Sequence, residues 1–450
     1  MSGEWGIGVS ATVQFTRRSP RADAGDYSRA WWESLECAAD HSVGSGTMDA
    51  MTSYDSMPDA PGAAETSLPA ALTAFIDLDA IAHNVGVVRA AAGTDVIAVV
   101  KANGYGHGAV PVARAALAAG AAELGVAHIG EALALREAGI DAHITAWLHT
   151  NHAPFDAAIG ADIDVALSSR RQLALVADAA RRLGRTATVT AKVDTGLNRS
   201  GVAVDEWADF ADDLAKAKAD GAVRVRAIMC HLVRGDEPEH PLNSQQAERL
   251  DAAAADLVRL GSPAEVMHIA NSPAALTRPD LARDLVRPGI ALYGCTPIPE
   301  RGDFGLVPAM TLRAEVALVK NLAAGQGVSY NHHWTSDRDT VIAVVPAGYA
   351  DGVPRLLSNQ MHVQVNGRGF PQVGRVCMDQ FVIDLGPDGG GVAEGDVVEL
   401  FGAGTGGAPI ARDWADQIGT IDYEIITGIG ARAHRQYVGG AASDDSAEQR

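Results

Sequence analysis

The 450-residue chain has few of the features that mark specialised classes of protein. Its four cysteines, Cys37, Cys230, Cys295 and Cys377, lie far apart and form no CxxC pair. That spacing argues against a disulfide framework and against a zinc site, and it suits a reducing cytosol. No apolar run is long enough to span a membrane. Residues 1–25 lack the uninterrupted apolar core of a secretory signal, although their Arg and Ser leave a transit peptide as an alternative. Cations are scarce, with 36 Lys and Arg against 56 Asp and Glu, a net charge of −20 and a pI near 5.0. Such a surface argues against nucleic acid and anionic membranes as partners, while leaving room for a locally basic pocket. Aromatics make up only 5%.

Apolar residues are plentiful at 47%, with abundant Ala and Gly, as expected of a soluble globular protein whose helices pack closely on a sheet. The length suggests two or three domains. Residues 1–70 show no sustained period and hold Trp5, Trp31 and Trp32. They are expected to be a disordered extension, with Met48, Met51 and Met57 as later possible starts; a small functional appendage is the alternative. Between 71 and 305, short β-rich runs alternate with Ala- and Leu-rich helical stretches. Strands are expected at 96–101, 123–127, 144–148, 164–168, 187–194, 225–231 and 265–270, with an eighth near 285–293. Helices are expected at 109–119, 130–138, 169–183, 205–219 and 243–260. Near-continuous apolar strands separated by helices predict a parallel sheet, and about eight such units predict an α/β fold of the (β/α)8 TIM-barrel type. From 306 to 438 the period becomes alternating, in "AMTLRAEVALVKNL", "DTVIAVVP", "MHVQVNG", "QFVIDLG" and "DVVELFG", which predicts a mainly antiparallel β domain with one short helix near 408–417. Residues 439–450 are polar and expected to be a disordered tail.

The chemistry concentrates at strand ends, where a barrel of this kind places its active site. "VIAVVKANGYGHG", 96–108, runs a buried strand straight into Lys101. The lysine either snorkels at the barrel mouth or, with its amine desolvated and its pKa lowered, forms a Schiff base. "AKVDTGLNRSG", 191–201, carries Lys192 and Arg199, which by itself is compatible with a simple cap on the barrel. "MCHLVRGDE" ends a strand with His231, a position more often structural than catalytic. "HIANSPA" puts Asn271 and Ser272 at a helix start, whose free N–H groups suit a phosphate. In "VRPGIALYG", Pro288 and Gly289 bring the backbone near whatever Arg287 faces. In the β domain, "VSYNHHW" holds Tyr330. His332 and His333 beside it are adjacent and face apart, so a metal site is not expected. "GRVCMDQ" holds Cys377, Met378 and Asp379, and "PAGYADGVPR" and "IDYEI" hold Tyr349 and Tyr423, which read equally as packing aromatics. The Gly-rich 402–409 lacks a lysine and reads as a loop, not a phosphate cradle.

Taken in order over residues 70–438, these motifs resemble the alanine racemase family, the fold-type III pyridoxal phosphate enzymes. The glycine before Tyr105 is a small departure, since many members have alanine or aspartate-alanine there. The resemblance implies that Lys101 carries pyridoxal phosphate in Schiff-base linkage. It implies that Arg199 contacts the phenolic oxygen of the cofactor and the substrate carboxylate, held by Lys192, which is carbamylated in some members. Arg287 is implied to bond the pyridine nitrogen, with His231 supporting the site. Ser272, Gly289, Ile290, Tyr423 and Tyr105 are placed near the phosphate, and Asn271 beside them. Met378 and Asp379 are implied to line the substrate side, and Tyr349 the entrance. Tyr330 matches the second catalytic base and reaches the pocket of a partner subunit.

Two bases on opposite faces suffice to invert an amino acid once the cofactor ring takes up the carbanion charge. The resemblance therefore implies interconversion of L-alanine and D-alanine by Lys101 and Tyr330, an obligate head-to-tail homodimer, a cytoplasmic location and supply of D-alanine to peptidoglycan. For a phenol to act as a base near neutrality, nearby cations must hold it as phenolate, and Arg287 acting through His231 is one source. Serine is the nearest competing substrate. A non-catalytic pyridoxal phosphate carrier on the same barrel would lack the β domain with Tyr330. A related two-domain decarboxylase would place an acid where Arg287 stands, and a cofactor-free aldolase would leave Ser272, Gly289 and Tyr423 without a phosphate.

Overall fold

The computed structural model describes residues 70–440; the expectations for the N-terminal extension up to residue 69 and for the tail beyond 440 fall outside the described residues. The first strand, β1 (Leu72–Asp77), is followed by the helix Leu78–Ala92. Asp77 caps that helix by accepting from Asp79 N at 2.9 Å and Ala80 N at 3.0 Å, and Gly93 ends it in a left-handed conformation at φ 68°.

The barrel strands are β2 (Asp95–Val99), β3 (Glu123–Val126), β4 (Ile144–Ala146), β5 (Asp164–Leu167), β6 (Ala187–Lys192), β7 (Val223–Met229), β8 (Val266–His268) and β9 (Leu285–Val286). They pair in parallel in chain order, and β9 returns to pair with β2. The seam between β8 and β9 has no ladder. Asp284 N donates to Met267 O at 3.1 Å and Arg287 N to Ala270 O at 2.8 Å, which draws the barrel shut. Helices cover the outside, as the continuous apolar strands require. Val96, Ile97, Ala98, Leu124, Val126, Val165 and Leu167 are all fully buried. Each large aliphatic side chain removed from water this way contributes roughly 1.5–3 kcal/mol. The expected eighth strand shrinks to two residues because Pro288 has no N–H to offer a ladder and the chain turns into a 3-10 helix at Ile290–Tyr293.

The second sheet has nine strands. Eight of them follow the barrel: β10 (Met310–Glu315), β11 (Leu318–Leu322), β14 (Thr340–Val345), β15 (His362–Val365), β16 (Arg368–Val373), β17 (Phe381–Gly386), β18 (Val397–Phe401) and β19 (His434–Val438), while β12 (Gly327–Val328) and β13 (Trp334–Thr335) form a separate two-stranded ribbon. The ladders are antiparallel except for β1 with β19, which is parallel. β1 therefore belongs to this sheet, paired between β10 and β19, although it precedes the barrel in sequence. The expected helix near 408–417 is observed at Ala411–Ile418, and a further short helix, Asp422–Gly428, carries Tyr423 to the barrel mouth.

Candidate active site

A cavity of about 260 Å³ opens at the carboxyl ends of the barrel strands. Its walls bring together Lys101 after β2, Lys192 at the end of β6, Arg199, His231 after β7, Asn271 and Ser272 after β8, Arg287, Gly289 and Ile290 after β9, and Tyr105 and Tyr423. Two lysines and two arginines meet here, and among the described residues no carboxylate lines the cavity. In a chain of net charge −20 this is a concentrated basin for an anion.

Lys101 sits at the root of an unusual turn. Ala102, Asn103, Gly104 and Tyr105 are all left-handed, with φ of 53°, 53°, 60° and 51°. Each non-glycine residue held there costs about 1–2 kcal/mol, so the turn needs external ties. Ala102 N donates to Glu131 Oε1 at 2.7 Å, and Ala109 N to Asn103 Oδ1 at 3.0 Å. Gly104 is the residue with least to lose, and a Cβ there would approach Ala109 Cα at 3.3 Å. The turn aims Tyr105 into the cavity, with its ring stacked on Tyr293 at 4.7 Å between centroids and 6.2 Å from that of Tyr423. Tyr105 Oη packs so closely on Gly289 that a Cβ at that position would lie 2.2 Å away. Burial pushes the phenols of Tyr105 and Tyr423 up, keeping both as neutral donors.

The Lys101 amine titrates below the ordinary lysine range, first because it is buried and then because Arg199 is near; Glu131 works in the opposite sense. Lys192 is pushed down to about 8 by burial, then by Arg287 and Arg199, and its Nζ donates to Ser200 Oγ at 2.7 Å. Ser272 Oγ accepts from Gly289 N at 2.9 Å and Ala291 N at 3.3 Å, gathering a hydroxyl and backbone donors at one spot. Asn271 caps the helix Ser272–Thr277.

Arg287 is buried, and its Nη2 donates to Cys230 O at 2.7 Å. Its Nη1 donates to Nδ1 of His268, at 2.7 Å, and not to His231. The sequence expectation linked Arg287 to His231, but the histidine it touches is the one that ends β8. His231 feels Arg287 through the field: burial, then Arg287 and Arg199, push its imidazole down.

Tyr330, Tyr349, Met378 and Asp379 do not line this cavity. They form a second cluster on the β domain. Tyr330 is 67% exposed on a tight turn flanked by Ser329 and Asn331, both at positive φ. Ser329 Oγ donates to Arg375 O at 2.8 Å, while Tyr349 N donates to Cys377 O at 3.0 Å. Asp379 Oδ1 accepts from Arg432 Nη1 at 2.6 Å. Met378 and Tyr349 are both exposed.

Three site residues escaped the sequence reading. His268 opens the very motif that gave Asn271 and Ser272 and obeys the strand-end rule that singled out His231. Trp147 follows β4 at the same level and lines the cavity, using space left by Gly125, whose Cβ would meet the indole at 2.5 Å. Glu131, at the third position of the helix Ile129–Glu137, was hidden because it acts on backbone N–H groups.

A closed parallel barrel with a desolvated lysine, two arginines and clustered hydroxyl and amide donors at its mouth, flanked by an antiparallel domain, defines a two-domain barrel enzyme built to hold an anionic group beside a reactive amine. Residues 76–297 match the family model for the N-terminal domain of alanine racemase, and residues 309–437 the model for its C-terminal domain. The chain is 60% identical over 375 residues to the alanine racemase of Mycolicibacterium vanbaalenii, covering 83% of this chain and 96% of that one. Among solved structures, alanine racemase from Streptomyces lavendulae superposes with a TM-score of 0.80 at 48% identity, covering 83% of this chain and 98% of the other. Alanine racemase from Bartonella henselae, with covalently bound pyridoxal phosphate, superposes with a TM-score of 0.74 at 30% identity, covering 82% and 100%. The chain belongs to the alanine racemase family, a family of isomerases.

Proposed function

We propose that this chain interconverts L-alanine and D-alanine with pyridoxal phosphate, using Lys101 and a Tyr330 contributed by a second copy. The observation that carries the reading is Lys101, a partly desolvated amine at the end of β2 in a cavity lined by cations and no carboxylate. The residues fit the cofactor. Ser272 Oγ, the backbone of Gly289 and Ile290, and the hydroxyls of Tyr105 and Tyr423 suit a phosphate; Arg287 is a fixed donor for a ring nitrogen and Arg199 is an open cation for a carboxylate. The relative from Bartonella henselae holds the same cofactor covalently. Bound here, the cofactor supplies the electron sink that makes an α-proton removable.

Lys101 Nζ moves the proton on one face, and Tyr330 Oη of the partner moves it on the other. Tyr330 is exposed in the single chain, within a cluster that also presents Tyr349, Met378 and Asp379, as a half-site donated to a neighbour requires. A homodimer follows from that division of labour. Lys192 is the candidate for carbamylation: an amine lowered to about 8 has a neutral fraction able to add CO2, and the resulting anion would sit among Arg199 and Arg287. Among the described residues no helix is long and apolar enough to cross a membrane, and we place the activity in the cytoplasm, feeding D-alanine to peptidoglycan.

The test is incubation of purified protein and pyridoxal phosphate with L-alanine, followed by chiral chromatography. The reading expects D-alanine to accumulate toward equality with L-alanine. No D-alanine, or conversion of serine in preference to alanine, overturns it.

A further inference from the structure

The left-handed turn that carries Lys101 and Tyr105 is tied down by a single carboxylate from another element. Glu131 Oε1 accepts from Ala102 N at 2.7 Å, and its Oε2 accepts from Ala127 N at 2.9 Å and His128 N at 3.0 Å. Both oxygens are thereby fixed, one on the turn after β2 and the other on the loop after β3. Ala102 is the first left-handed residue of the turn and the immediate neighbour of Lys101. We infer that Glu131 is a positioning residue: its two oxygens clamp the Lys101 turn to the loop after the third strand and hold a carboxylate charge beside that turn.

The surroundings of Lys101 make that charge count. Burial first, and then Arg199, depress the amine, and Lys192 lines the same cavity. The Tyr105 ring centroid lies 5.9 Å from Nζ. Glu131 opposes burial and Arg199, and it stands outside the cavity wall. Its hold is a charge-assisted bond to backbone N–H, which also explains why it needs no contact with a bound molecule.

The inference rests on Lys101 being the cofactor lysine, so the experiment separates the two. Full-length wild type, Glu131→Gln and Glu131→Asp are freed of cofactor with hydroxylamine and given pyridoxal phosphate over a range of pH. The rate at which the visible band appears reports the free amine. After borohydride fixation, peptide mass spectrometry locates the attachment. The expected result is attachment at Lys101 in all three, with the midpoint of the rate profile at lower pH in Glu131→Gln than in wild type. Glu131→Asp, which keeps the charge, returns the midpoint toward wild type. Attachment elsewhere overturns the assignment of Lys101. Attachment at Lys101 with coincident profiles, even where Glu131→Gln lowers the melting temperature, leaves Glu131 a merely structural cap and overturns the inference.

Discussion

Arg287 Nη1 lies 2.7 Å from His268 Nδ1, both groups buried, so the guanidinium is held by an imidazole that must accept, and therefore must stay neutral at that nitrogen. Burial first, and then Arg287, drives the His268 pKa well below the ordinary histidine value. The pair fixes the donor that we assign to the cofactor ring.

His268→Ala leaves a buried guanidinium donor without its partner. It is expected to destabilise the fold by about 2–4 kcal/mol, read as a lower midpoint in urea. His268→Gln, whose amide oxygen is able to accept, should recover part of the loss. Equal stability of the alanine variant and wild type would show that the bond contributes nothing.

The same neutrality predicts an acid-sensitive fold. His107 and His149 are each held near 4, and His268 well below its usual value, burial being the leading cause in all three. A histidine depressed in the folded state binds fewer protons there than when unfolded. Its stabilisation is complete above the unfolded value of about 6.5 and is lost as pH falls from there toward the folded value. Urea unfolding should therefore give a stability that declines between about pH 6.5 and 4, by a few kcal/mol in total. A flat or rising profile on acidification contradicts the assignment of buried neutral histidines.

Gly289→Ala places a methyl group where Tyr105 Oη now sits, 2.2 Å away, so the phenol must move. The expected cost is about 1–3 kcal/mol, expressed mainly as faster loss of pyridoxal phosphate on dialysis, because Tyr105 and Gly289 line the same wall. Retention of the cofactor at the wild-type rate would mean the close approach has no bearing on binding.

Tyr330→Phe separates activity from stability. The side chain is 67% exposed in the single chain, so the melting temperature should not change by more than a degree or so. Removal of the hydroxyl should lower turnover by on the order of 10²–10⁴-fold. A variant with full activity removes Tyr330 from the chemistry.

Much of this was legible in the residues, for a physical reason. Barrel strands are buried on both faces, so "VIAVV" and its counterparts stand out as apolar runs, and site residues sit directly at their ends. What stayed hidden depends on pairing across distance. "LTAFID" alternates buried and half-buried residues, but only its ladders with β10 and β19 show that it serves the second sheet. Glu131 works through main-chain N–H groups that look alike in every sequence. Arg287 reaches His268 and not His231 because β8 and β9 meet at the barrel seam, a closure no local pattern reveals. Tyr330 and Lys101, matched by their motifs, lie in separate clusters of the one chain.

That separation supplies the most direct test. Lys101→Ala and Tyr330→Phe chains are each purified, shown to be inactive, mixed, dissociated and reassociated, and assayed for D-alanine. If each site takes its lysine from one chain and its tyrosine from the other, a mixed dimer regains one intact site, and activity should return to about a quarter of wild type at equal mixing. No recovery on mixing, with mixed dimers demonstrated by mass, would contradict a site built from two chains.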